Sequence, residues 1–196
     1  DTSTGWTARF VRRLSLTRAP FLLTMLDDSF IMKPLAADVL GNALAFMADP
    51  RLAAVQFYGI HRPALPSSLP GFGTHDEQPP LEKRTYFVPT LVRTRAYLDI
   101  ASRVLGAVKG AADRGWPGAY NFELHAGPAS LGWTVLGPLA VHQDSPCVHV
   151  DAIHQGKWSP NVVGLFEKHG VPMDFGQRGF YREGEDPYME EWKCTR

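Results

Sequence analysis

The chain has 196 residues, 44% of them hydrophobic and 20% charged, which is enough for one ordinary domain with a true core. Its 20 basic residues balance its 20 acidic ones, so bulk electrostatics favours neither nucleic acid nor an anionic surface as a partner. No apolar run reaches the ~20 residues needed to cross a bilayer, which excludes a transmembrane helix within the sequence.

No signal-peptide pattern opens the chain, and the first residue is Asp1 rather than Met, so an excised or incomplete chain is expected. Cys147 and Cys194 fit no zinc spacing and leave open whether they are bridged or free. Sixteen prolines and eighteen glycines imply many tight connections, with no repeat and no low-complexity tract.

In chain order, N-cap residues at positions 1–4 precede Trp6, Phe10, Val11 and Leu14, which recur at helical spacing. Arg9, Arg12 and Arg13 fall on the other side of that helix: a solvated face, or a source of an arginine for a phosphate. Residues 21–26 then read as a strand buried on both faces that runs into Asp27, Asp28 and Ser29. Two adjacent carboxylates repel unless a cation sits between them, and a divalent metal with oxygen ligands meets that need. The alternative is a helix cap formed by Asp28 or Ser29.

Pro34 suits a first helical position and Leu35, Val39, Leu40, Ala43, Leu44 and Met47 form an apolar stripe that ends at Asp49-Pro50. Residues 52–58 read as a second strand, making a strand–helix–strand unit and arguing for a parallel or mixed sheet. Residues 59–83, rich in proline and glycine, are expected to form one long loop, a flap over a site, with His61 and His75 on its surface. A short strand is expected at 85–88, a helix at 95–108, a glycine-rich turn at 111–119, and a helical segment beginning at Asn121. Short strands follow at 133–136 and 139–142, an imperfect alternation at 147–153, and a helix opened by Ser159-Pro160. The charged, aromatic stretch from 176 to 196 shows no periodicity and is expected to wrap the surface of a single domain spanning 1–175.

Four motifs in order carry a family resemblance: residues 22–30; Phe87-Val88-Pro89-Thr90-Leu91-Val92-Arg93-Thr94; Gly115-Trp116-Pro117-Gly118 followed by Phe122-Glu123; and Ile153-His154-Gln155-Gly156. Across residues 1–160 the chain resembles the catalytic domain of an inverting, family-two-like glycosyltransferase of the GT-A fold. The resemblance implies an α/β domain with a central mixed, mostly parallel sheet and helices on both faces. It also implies a nucleotide-diphosphate sugar as donor and a glycan, protein or lipid hydroxyl as acceptor.

By the same resemblance, Asp27 and Asp28 would hold Mn2+ or Mg2+ against the diphosphate, with His154 completing the metal site and His142 and His149 as substitutes. Glu123 would be the general base, Asp1 and Arg9 would contact nucleotide or phosphate, and Trp116, Tyr120 and Arg93 would contact the acceptor or sugar. Trp133 is a further stacking surface or a core residue. The sequence departs from the family pattern twice. Ser29 stands where a third acid is usual, which weakens the metal site, and the strand–helix pair that normally precedes the acidic strand is not found. Two other readings of the same residues are a non-catalytic carbohydrate- or nucleotide-binding relative and a metal-dependent hydrolase.

Overall fold

The structure, a computed structural model, describes residues 5–25, 29–31, 34–57, 65–74, 89–108, 133–138, 149–154, 156–160 and 162–182; for some of these, including Ser29, Asp151 and His154, it describes the backbone alone. The described elements are α1 (Trp6–Leu16), β1 (Phe21–Thr24), β2 (Ser29–Ile31), α2 (Ala37–Phe46), β3 (Leu52–Gln56), β4 (Leu65–Pro66), β5 (Phe72–Thr74), β6 (Thr90–Arg93), α3 (Thr94–Val108), β7 (Thr134–Pro138), β8 (His149–Asp151), β9 (Ile153–His154), β10 (Lys157–Trp158), α4 (Val162–Lys168) and a 3-10 helix (Phe175–Gln177).

Six strands form one mixed sheet in the order β1-β6-β3-β7-β5-β4. Side-chain alternation along each strand sorts the apolar residues to two faces. On one face Ala54, Val92 and Val135 meet Tyr97, Ile100, Ala101 and Val104 of α3 and Leu14 of α1, with Trp6, Phe10 and Leu22 packed alongside. On the other, Val55, Leu91 and Leu136 meet Ala43 and Met47 of α2. The result is an α/β sandwich with helices on both faces. Each fully buried side chain of this kind, such as Met47 or Val104, contributes about 1.5–3 kcal/mol by burial.

The sheet is mixed, but it is not mostly parallel as the sequence suggests. Among the described strands of this sheet only β3 and β7 pair in parallel; β1·β6, β3·β6, β5·β7 and β4·β5 are antiparallel. Parallel neighbours require a long crossover, usually a helix. The helical crossover β1-α2-β3 does join two strands of the same direction, yet β6 lies between them and runs the opposite way.

Two further boundaries differ from expectation. Pro34 lies outside α2, whose N-cap is Ala36. The span expected as one loop contains the β4·β5 hairpin at the sheet edge, where Leu69 and Phe72 are buried against Phe57 and Met47. Ser67 Oγ organises that turn by accepting from Leu69 N (3.1 Å) and donating to the Phe72 carbonyl (3.0 Å), and Gly71 supplies its positive φ of 77°. Those ten residues are therefore part of the sheet rather than of a flap. The strand expected at 85–88 lies outside the described residues, and the described strand is Thr90–Arg93.

A third core belongs to the C-terminal lobe. Ala152, Ile153, Trp158, Val162 and Phe166 are buried together, with Phe30 of β2 and Phe175 packed against them. Trp158 and Phe175 ring centroids are 5.2 Å apart, and those of Phe166 and Phe175 are 5.6 Å apart, both edge-on. The chain from 179 to 181 pairs with β10 through Trp158 N to Gly179 O (2.9 Å) and Tyr181 N to Trp158 O (3.0 Å). The first part of the expected tail is thus tied to the domain.

Candidate functional site

The carboxyl ends of β1 and β3 lie side by side, because Thr24 and Gln56 are both register partners of Thr90 on β6. Thr24 Oγ1 donates to the Thr90 carbonyl (3.2 Å) and fastens the last residue of β1. β7 leaves the sheet at the same end, since it runs parallel to β3 with Val55 opposite Leu136. In α/β sheets this is the end where ligands bind.

Two strands that leave there meet again. β1 continues through residues 25–28, which carry Asp27 and Asp28, into β2. β7 continues through 139–148 into β8. β2 and β8 pair antiparallel, with Ser29 opposite Asp151 and Ile31 opposite His149. β9 follows at once, and its last residue is His154. The backbone therefore brings the residue following the two acids into register with a further carboxylate-bearing residue, three positions before His154.

Phe30 holds this arrangement to the C-terminal lobe. Its ring lies 5.0 Å from that of Phe166, edge-on, and 6.3 Å from that of Trp158. The alternation of β2 sends Phe30 into the lobe core, while Ile31 packs with the α2 face of the sheet. Trp158 is 3% exposed, and its indole N–H has no hydrogen-bond partner among the described residues.

The predicted site residues divide into three groups. Asp1, Asp27, Asp28, Trp116, Tyr120, Glu123 and His142 lie outside the described residues, as do His61, His75, Cys147 and Cys194. Ser29, His149 and His154 are placed by their backbone on β2, β8 and β9. Among the described residues no three His, Cys, Asp or Glu side chains gather as a metal-binding group. In backbone register, the β2·β8 pair sets Ser29 opposite Asp151; carboxylate and imidazole donors are the types that suit a divalent cation of the Mn2+ or Mg2+ kind.

The remaining residues are described in full. Arg9 is exposed on α1. Trp133 is half-buried and immediately precedes β7, at the amino end of that strand and away from the β1 and β3 carboxyl ends. Arg93 requires a correction. Because β6 is antiparallel to its neighbours, its last residue falls beside Phe21, at the amino end of β1. There the guanidinium donates to the carbonyls of Met47, Asp49 (3.0 Å) and Leu52 (3.4 Å) and lies over the Phe21 ring at 5.4 Å. Arg93 thus ties the segment that links α2 to β3, where the Asp49 carbonyl also accepts from Leu52 N (3.1 Å), at the end of the sheet opposite the one expected to take an acceptor.

An open cavity of about 370 Å³ also lies at that opposite end, lined by Asp49, Arg51, Ser67, Thr74 and Thr134. Its charged groups are engaged with each other: Arg51 Nη2 and Nε donate to the Asp49 carboxylate at 2.8 and 3.1 Å. Those bonds, with the Arg51 backbone N–H (2.9 Å), hold the Asp49 carboxyl down at about 2.

Sequence reasoning did not single out Asp151 or Phe30. Asp151 carries no local signal, since its relevance comes from a register partner 122 positions earlier in the chain. Phe30 could have been found as an aromatic residue two positions after Asp28.

The chain matches no protein-family model, and no curated protein matches it. No helix among the described residues is long and apolar enough to cross a membrane.

Proposed function

We propose that the protein is a glycosyltransferase of the GT-A kind, moving a sugar from a nucleotide-diphosphate donor to an acceptor hydroxyl with inversion. The observation that carries this reading is the reunion of β1 and β7, which leave the same end of the sheet and pair again as β2·β8. What supports the reading is the order of residues around that pairing: Asp27 and Asp28 precede β2 in sequence, Asp151 is the backbone register partner of Ser29, and His154 ends the next strand. In this reading Asp151 offsets the serine at the third acidic position.

Asp27, Asp28 and His154 would hold Mn2+ or Mg2+, which would neutralise the charge that develops on the leaving diphosphate. Glu123 accepts the proton of the acceptor hydroxyl. The acceptor oxygen forms its bond to the anomeric carbon as the bond from that carbon to the phosphate oxygen breaks, and the nucleoside diphosphate departs with the bonding pair. Asp1 and Arg9 contact nucleotide or phosphate, and Trp116 and Tyr120 offer stacking surfaces for sugar rings. Arg93, committed to the α2 carbonyls, is left out of this assignment.

The test is calorimetric titration of a panel of nucleoside diphosphates with manganese and with chelator, followed by a transfer assay. Metal-dependent binding that weakens in Asp28→Ala, together with Glu123→Gln that binds but does not transfer, is the expected result. Absence of binding to every nucleotide under both conditions rules the reading out. Release of free sugar at an undiminished rate without any acceptor would point to a hydrolase instead.

A further inference from the structure

Although the chain is neutral as a whole, its charge is segregated. From Gly5 to Met25 the sequence carries Arg9, Arg12, Arg13 and Arg18 and not one Asp or Glu. The helix α1 turns Thr7 and Leu14 into the protein and leaves Arg9, Arg12, Arg13, Ser15 and Leu16 exposed. At 100° per residue, Leu16 falls between Arg12 and Arg9 on the outward arc, with Arg13 at its edge. Leu16 is 74% exposed, the highest value among the described large apolar side chains.

The hydroxyls next to it are occupied locally: Ser15 Oγ donates to the Arg12 carbonyl (2.8 Å) and Thr17 Oγ1 to that of Arg13 (3.1 Å). What projects from this face is therefore guanidinium and one leucine. The neighbouring helix α3, on the same side of the sheet, adds exposed Arg95 and Arg103 against Asp99.

We propose that the outer face of α1 docks the protein on an anionic lipid surface. Guanidinium groups pair with lipid phosphates, and each cationic side chain held near an anionic leaflet adds to binding. An exposed leucine ringed by arginines fits a bilayer, because it can sink past the headgroups while the charged groups stay at their level. Nucleic acid would engage the same arginines but gain nothing from Leu16, and the exposed residues of this face include no aromatic ring on which a base could stack. The docking surface does not depend on the sugar-transfer reading: Arg12, Arg13 and Leu16 carry it without Arg9, which that reading gives to a nucleotide or phosphate.

The test is co-sedimentation of the full chain with vesicles of phosphatidylcholine alone and of phosphatidylcholine with phosphatidylglycerol at about three to one, at low and high ionic strength. Binding is expected only to the anionic vesicles, falling with salt. Arg12→Glu/Arg13→Glu should reduce it by roughly tenfold or more. Arg12→Gln/Arg13→Gln should give an intermediate loss, which guards against a folding defect in the charge-reversed variant. Leu16→Ser should remove the part of the binding that survives high salt. Equal binding to neutral vesicles, no binding to anionic ones, or indifference to both arginine pairs would overturn the proposal. So would capture by heparin or a polyglutamate peptide without any vesicle binding.

Discussion

Ser29 and Asp151 are register partners across β2 and β8, so the residue that follows two adjacent acids lies opposite a third acid-bearing position. If a metal-dependent diphosphate site forms there, Asp151 belongs to it. Asp151→Asn is expected to weaken nucleoside-diphosphate binding by roughly tenfold in manganese, within the range seen when a group supporting a metal site is removed. It should leave any residual binding in chelator unchanged. Parallel titrations under the two conditions check this, and an equal loss in both would separate Asp151 from the metal.

Phe30 connects that register to the lobe core through Phe166 and Trp158. It is half-buried, so Phe30→Ala should cost about 2 kcal/mol, less than the full penalty for a buried aromatic. Denaturant unfolding measures this. Phe30→Leu should retain most of the stability, since volume-conserving apolar changes are tolerated. If Phe30→Ala proves neutral, β2 is held by its backbone pairing alone.

Arg93 gives a contrasting expectation. Arg93→Met keeps much of the stem that covers Phe21 but removes three donations to the Met47, Asp49 and Leu52 carbonyls. A loss of about 1–2 kcal/mol is expected from the lost donations, since the Asp49 carbonyl keeps its bond from Leu52 N (3.1 Å). Transfer kinetics per folded molecule should not change. A raised KM for acceptor with unaltered stability would restore Arg93 to the site.

Asp49 supplies a pH signature. Its carboxyl is held at about 2 by the Arg51 side chain first, and then by the Arg51 backbone N–H. The folded value lies below the unfolded value of about 3.9. Its contribution to stability is therefore complete above that unfolded value and lost as pH falls through about 2. The pair is solvent-exposed, Arg51 more than Asp49, so the effect is small. Carbon-detected NMR titration should find Asp49 titrating below the usual carboxylate range, and Arg51→Ala should bring it back into that range.

Much of the fold was legible because its signals are local. Trp6, Phe10 and Leu14 mark α1 by spacing, the apolar run at 21–24 marks β1, and Tyr97, Ile100, Ala101 and Val104 mark α3. The position of β6 between β1 and β3 was not legible, because periodicity reports which face a residue occupies and not which strand lies beside it. That ordering reversed the meaning of Arg93. The family resemblance made it a site residue, whereas the antiparallel direction of β6 sets it beside Phe21, at the amino end of β1. The hairpin at 65–74 was hidden by its prolines and glycines, although Leu69 and Phe72 are buried. For the candidate site, the acidic pair was visible from sequence, while its neighbour Asp151 became visible only through register.

The C-terminal lobe has its own core of Ala152, Ile153, Trp158, Val162 and Phe166, apart from the two cores that line the sheet. Residues 25–28, with Asp27 and Asp28, join a strand rooted in the sheet to one whose Phe30 is rooted in the lobe. Units with separate cores can open separately, at a free energy below that of global unfolding. Any chemistry at Asp27 and Asp28 would then fail at the temperature where the lobe loosens, while α1, α3 and the sheet still hold their amide protons against exchange.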